Sequence, residues 1–494
     1  MPTTIRRANT LILAVSLAGV LCVACGDDGD DADNGSTQVN SNGTTGGTSN
    51  GLPSNGGPPN NGLPNNGLPS NGTSASNGTS NGTGTTGGTN NGTGDDMRER
   101  LILATGEYDC TKSWDGLMRL EDVSDPEEGQ EADFLIDVPG LQDSDGLALD
   151  FIHGLYMHEG RDELYVSALF TSIDEDVQIC NFDVVPPTDF FAPGSIAILS
   201  DFTEEGGNPG SLTVARHITG DQTMLHQPHN VWVDEERELI YAANAWNSNI
   251  LVWEDAYTVN GNVAPSRVIT SPNLRFPAFV YIDTDNDRMF VANFASLIYN
   301  PNDPHTDSSV PSILIFNNAS QLDGEVTPDI RIVDDRVAPD NTRLTLGQLH
   351  ITHDVKYDPG TGLMFVVHHT NEVLMFNLTD VEEACDDLLN CELAPQAVIQ
   401  VNTNPSDLDY WSSYDVLYLP EVDRLYVSVG LSLLSNIPEL GAPYEPGLMA
   451  NSIKVYDGVS QYEGGPTIFP TSREITWSSS DDHYPPQPFW ITRH

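Results

Sequence analysis

Two segments of this chain set histidines three residues apart just ahead of an apolar run: Leu225-His226-Gln227-Pro228-His229-Asn230-Val231 and Leu349-His350-Ile351-Thr352-His353-Asp354-Val355. A degenerate third copy reads Leu149-Asp150-Phe151-Ile152-His153-Gly154-Leu155, with an acid where the first histidine stood. His368 and His369 end the apolar run that follows His353, which brings seven of the chain's 12 histidines into one pattern. Neutral imidazoles converging from separate strands are what Zn²⁺, Cu²⁺ or Fe²⁺ bind. His153, His229, His353, His368 and His369 are therefore the candidate metal ligands. His226 and His350 are the candidates for moving protons beside a bound metal, where water acidity and carbonyl polarity would be raised. The same residues have a plainer use, since an imidazole opening an inner strand can simply hydrogen-bond a neighbouring backbone. His-x-x-His in a loop is less specific than paired Cys-x-x-Cys, so both uses stay open.

A repeat must position these residues. HNVWVDEERELIYAANAWNSNILVW (229–253) returns as HDVKYDPGTGLMFVVHHTNEVLMF (353–376) and AFVYIDTDNDRMFVANF (278–294), at a period of 50–75 residues with three short apolar runs per unit. Such a period marks a radial β repeat. A second strand recurs as LYVSAL (164–169), IYAANA (240–245), MFVANF (289–294), MFVVHH (364–369) and LYVSVG (425–430). A third recurs as SIAIL, NILVW, SILIF, EVLMF and SIKVY. The ends supply a sixth unit: RLILAT (100–105), GLMRL (116–120) and FLIDV (134–138), completed by PFWIT (488–492). The prediction is an all-β, six-bladed β-propeller over 97–494, closed by pairing the N- and C-terminal strands; a seventh blade would need strands that are not found. In that ring the final histidine of each copy opens the innermost strand at the tunnel mouth, with Ala278, Tyr414 and Gln487 in the other blades.

The Tyr-Val-Ala-Asn-like strand ends resemble the NHL, YVTN and lactonase-like propellers of bacterial exported proteins. Comparable asparagines ligate calcium in gluconolactonase- and paraoxonase-like propellers, which implies Asn244 and Asn293 as calcium ligands and Asp354 and Asp415 as the nearest axial acids. No axial Glu is evident. Peptidylglycine-amidating lyase, a six-bladed propeller with a three-histidine zinc site, shows that the design can work, although His153, His229 and His353 do not alternate strictly around the ring. Asp283-Thr284-Asp285-Asn286-Asp287 reads as a hairpin turn of turn-forming residues rather than a calcium loop.

Long insertions at 169–193, 294–311 and 430–450 fall in alternate blades at the same face. With Phe190, Phe191, Tyr299 and Leu433, joined by Trp411, they predict a binding rim. Four cysteines in the folded region predict two disulfides, Cys110–Cys180 and Cys385–Cys391.

At the N-terminus, Arg6 and Arg7 precede an apolar run too short to remain as a membrane span. Leu21-Cys22-Val23-Ala24-Cys25-Gly26 resembles a bacterial lipobox, which implies a signal peptide over 1–24 and a lipid on Cys25. Gly26 in place of Asp points to the outer membrane, on its periplasmic or surface side. Residues 25–96 are almost wholly Asp, Asn, Gly, Ser, Thr and Pro, a tether too polar to fold. Net charge is −52, with lysine at Lys112, Lys356 and Lys454 alone. Such a field disfavours nucleic acid and anionic headgroups, leaving the lipid anchor as the membrane contact. The expectation is a monomeric, tethered platform for a small ligand or an envelope protein. The alternative is a metal-dependent hydrolase or lyase at the histidine cluster; a purely structural envelope protein is a third reading.

Overall fold

A computed structural model of the chain describes residues 101–106, 116–120, 123, 134–137, 149–171, 194–200, 213–294, 311–334, 352–368, 372–385, 387–393, 395–401, 411–431, 452–462, 465–467, 469, 471–476 and 487–493. The expected leader and tether, Cys25, Cys110, Cys180, His350, His369 and the rim residues Phe190, Phe191, Tyr299 and Leu433 lie outside these, as do most of the long insertions. Trp411 opens a strand, but its side chain is likewise outside them.

Six sheets form the blades of a β-propeller, each with four antiparallel strands, A innermost to D outermost. Blade 2 is Leu149–His158, Glu163–Thr171, Ser195–Ser200 and Thr213–Thr219. Blade 3 is Pro228–Asp234, Leu239–Asn244, Asn249–Trp253 and Arg267–Thr270. Blade 4 is Pro277–Asp283, Arg288–Asn293, Ser312–Asn317 and Ile330–Asp334. Blade 5 is Thr352–Asp358, Leu363–His368, Glu372–Asn377 and Ala397–Gln400. Blade 6 is Trp411–Leu419, Arg424–Leu431, Ser452–Asp457 and Arg473–Thr476. Blade 1 combines the C-terminal Gln487–Arg493 as strand A with Leu101–Gly106, Gly116–Leu120 and Phe134–Asp137. The ring closes by the expected pairing of the chain's two ends, in which Leu101–Gly106 lies antiparallel to Gln487–Arg493.

The middle strands are continuous apolar runs because each blade is covered on both faces by its neighbours. LIYAAN and NILVW of blade 3 are buried at every position. Strand A to strand B turns are held by aspartates: Asp234 Oδ1 accepts from Arg237 N at 3.0 Å and Asp283 Oδ1 from Asn286 N at 3.2 Å. The Asp283–Asp287 segment is thus a hairpin turn.

One device went unread in the sequence. Blades 3, 4 and 5 each gain a fifth, parallel strand on their outer edge: Gly324–Glu325, Cys391–Leu393 and Gly465–Thr467 respectively. Each is lent by the next blade's C–D connection, so the open edge of strand D is paired rather than left as a template for another chain. The Cys385–Cys391 disulfide, which is formed, sits at the start of one such strand.

Candidate metal centre

Every strand A carries a register shift near its start. In blades 2 to 5 it falls between Ile152 and Leu155, Pro228 and Asn230, Pro277 and Phe279, and Thr352 and Asp354. In blade 6 it lies between Ser413 and Val416, and in blade 1 opposite the step from Pro488 to Trp490. A bulge re-aims the extra residue out of the sheet's alternation. His153, His229, Ala278, His353, Tyr414 and Phe489 are those extra residues. Phe489 therefore replaces Gln487 as the sixth equivalent position, because the bulge moves the register by one residue or more.

The bulges bring His153, His229 and His353 together from blades 2, 3 and 5. Their candidate ligand nitrogens all lie within 4.8 Å of one another, and the three side chains are buried. The His153 and His229 ring centroids are 4.2 Å apart, and those of His153 and His353 are 5.9 Å apart. Nδ1 of His153 lies 2.9 Å from the His229 carbonyl oxygen, and Nδ1 of His353 lies 2.7 Å from that of Tyr414. With Nδ1–H donating to a carbonyl, Nε2 is left with its lone pair, the tautomer a metal requires. His229 Nδ1 is buried with no hydrogen-bond partner among the described residues. Bonds of about 2.1 Å from one ion in a tetrahedral site would set the three nitrogens about 3.4 Å apart. Rotation of the side chains would have to bring them from within 4.8 Å to that spacing.

Electrostatics favour the same use. Burial, then His153 and His353, hold the His229 imidazole far below its ordinary range. Burial pulls His353 down to about 4, against the upward pull of its bond to Tyr414 and of Asp415. Neutral imidazole is the form that ligates metal. The wall around the group is aromatic: Phe276 packs edge-on 4.8 Å from the His229 ring, Phe294 lies 5.3 Å from Phe276, and Tyr414 stands 6.0 Å from His353.

The other sequence candidates take different places. His368 is buried at the end of strand B in blade 5, where its carbonyl accepts from Ser413 Oγ at 2.9 Å, and its ring is not part of the three-histidine group. Asn244 and Asn293 tie the loops entering strand A to the ends of strand B. Their Oδ1 atoms accept from His226 N and Arg275 N, each at 2.6 Å. His226 is half-buried in that loop and stays outside the three-histidine group. Asp354 and Asp415 pin blade to blade: Asp354 Oδ2 accepts from Val416 N at 3.0 Å, and Asp415 Oδ2 from Ile491 N at 2.7 Å. Asn230 makes the same bond to Val280 N at 3.0 Å. Lys356 Nζ lies 3.4 Å from both aspartates and 3.6 Å over the Phe279 ring.

No family model matches the chain, and no curated protein matches it. Among solved structures it is similar to the periplasmic gluconolactonase of Pseudomonas aeruginosa, at 10% identity and a TM-score of 0.41 over 80% of this chain and 99% of that one. A protein described as a 6-phosphogluconolactonase from Bacteroides uniformis gives 12% identity and 0.36 over 80% and 99%. A nidogen/laminin complex chain gives 11% and 0.39 over 80% and 98%. Likenesses this distant leave the chemistry to be argued from the residues.

Proposed function

We propose that His153, His229 and His353 hold one divalent transition-metal ion and that the chain is a metal-dependent hydrolase or lyase working at the tunnel mouth. The observation that carries this reading is the convergence of three buried imidazoles, from three separate blades, to within 4.8 Å. The three residues fit such an ion chemically, because burial keeps His229 and His353 neutral and backbone carbonyls fix the tautomers of His153 and His353. An ion bound there would polarise a carbonyl or raise the acidity of water. The chain's own contribution is to orient the imidazoles and to keep bulk water off one side with Phe276 and Phe294. A site with neutral ligands and an apolar wall suits a small carbonyl compound such as an ester, lactone or amide.

Elemental analysis of the purified protein, beside a His229→Ala/His353→Ala double variant, tests the reading. About one zinc, copper or iron per chain, lost in the variant, is expected. A wild-type protein that stays metal-free after refilling would leave a rigid binding platform instead. The lipobox-like segment supports a further proposal, that the domain is displayed from the outer membrane on a lipidated Cys25. Cys25→Ser should then move the protein from the membrane to the soluble fraction, and an unchanged fractionation would reject the anchor.

A further inference from the structure

We propose that Gln227 is the side chain that holds an oxygen-bearing ligand against the three histidines. This rests on the metal-centre reading and deepens it, naming the group that would recognise the substrate's carbonyl or carboxylate oxygen.

Gln227 is 3% exposed, and its Nε2 is buried with no hydrogen-bond partner among the described residues. A buried amide without a partner is unfavourable unless something else supplies the partner. Its backbone is also held in a strained shape. Gln227 has φ of 49°, in the left-handed region, immediately before Pro228, and a residue preceding proline ordinarily favours extended conformations. Strain of this kind persists where the surroundings enforce it and gathers at functional sites. Here the Gln227 carbonyl accepts from Ala245 N at 3.3 Å, which ties it to the end of strand B.

The next blade repeats this arrangement and shows where such a side chain goes. Phe276 has φ of 47°, precedes Pro277, and its carbonyl accepts from Phe294 N at 3.2 Å. Its ring lies 4.8 Å from that of His229, the bulge histidine of the preceding blade. The same geometry one blade earlier would carry the Gln227 side chain toward His153, the bulge histidine of blade 2. His153 in turn bonds the carbonyl of His229, two residues beyond Gln227. Gln227 thus supplies an amide donor on a wall that is otherwise aromatic, from Phe276, Phe294 and Tyr414. An amide N–H there suits a carbonyl or carboxylate oxygen, whose negative charge it would help to hold. The two phenylalanines suit the apolar part of the same molecule.

The test uses the full chain loaded with Co²⁺, whose visible spectrum reports its ligands, titrated with acetohydroxamate as the oxygen-bearing probe. Gln227→Met keeps the length of the side chain and removes the donor; Phe276 shows that this backbone accepts an apolar residue. Cobalt content should be unchanged in the variant, while the probe binds about 10- to 100-fold more weakly, as the loss of one hydrogen bond to a charged group dictates. The melting temperature of Gln227→Met should equal or exceed that of wild type, since a partnerless buried donor has gone. Cobalt bound with probe affinity unchanged overturns the role of Gln227 alone. A melting temperature that falls together with probe affinity overturns it as well, by making the residue structural. Failure of the wild-type protein to take up cobalt overturns the metal centre and, with it, this role.

Discussion

Burial shifts the protonation of His353 and of Asp354 in opposite directions. His353 is held at about 4, below the value near 6.5 expected in an unfolded chain. As pH falls from 6.5, the unfolded chain takes up a proton first, so the His353 contribution to stability declines down to about pH 4 and levels off below it. That linkage is worth about 3 kcal/mol for His353 alone. Urea denaturation of the metal-free protein at pH 7 and pH 4.5 should show this loss, and His353→Phe should remove much of it. Asp354 runs the other way: burial first, then the nearby Asp415 carboxylate, hold its carboxyl well above the ordinary 3.8 despite Lys356. The folded chain keeps that proton longer than the unfolded one, so stability falls as pH rises above 3.8 toward the folded value. Asn230 makes the same inter-blade bond with no charge at all. Asp354→Asn is therefore expected to keep the fold and raise the melting temperature at pH 8 more than at pH 5; a drop at pH 8 would mean that Lys356 balances an ionised pair. The three converging histidines were legible because three copies of the repeat carry a histidine at one position. Gln227 and Phe276 were not, since their types differ from blade to blade. The shared signal was the proline after each, one residue before the histidine or its counterpart Ala278.

At the scale of elements, the centre depends on how closely the first residues of strands A in blades 2 and 3 approach. A Cβ on Gly154 would lie 2.5 Å from Asn230 Cα, 2.8 Å from the His229 carbonyl oxygen and 2.8 Å from Ser167 Oγ. Backbone on two sides cannot yield as a side-chain tip could, so the strands would have to part. Gly154→Ala should cost about 1–3 kcal/mol. It should also weaken metal binding, because the carbonyl it displaces is the one that fixes His153 Nδ1. Equilibrium denaturation and a competitive chelator titration read the two effects; a full-strength metal site in a destabilised protein would show that the carbonyl does not orient the ring. The blades themselves were readable from the alternation of short apolar runs with turn residues. The bulges that aim the histidines were not, because a bulge is set by pairing with strand B, as the one-residue step around His229 and the longer one around His153 illustrate. The borrowed edge strands escaped for a similar reason: Gly324–Glu325 has no periodicity to read at two residues.

For the whole molecule, the ring is held shut by a strand that comes from the far end of the chain. Gln487–Arg493 pairs with Leu101–Gly106 along its length, Ile491 is buried in the core between blades 6 and 1, and Ile491 N caps the buried carboxylate of Asp415. Removal of residues 487–494 would leave three deficits at once: an unpaired inner edge on Leu101–Gly106, a gap beside Leu103 and Tyr426, and a buried Asp415 carboxylate reduced from two backbone amides to one, that of Val416. An open edge of this kind recruits other chains, whereas the net charge of −52 opposes their approach until salt screens it. The truncated protein is therefore expected to unfold at a lower temperature and to self-associate as salt is raised from about 10 mM to about 1 M, where the screening length has shrunk from about 30 Å to about 3 Å. A peptide spanning residues 487–494 should restore the monomer by adding back the missing strand. Sedimentation across that salt range, with and without the peptide, separates the two forces. A truncated chain that stays monomeric at high salt with an unshifted melting temperature would mean that blade-to-blade packing holds the ring closed without its final strand.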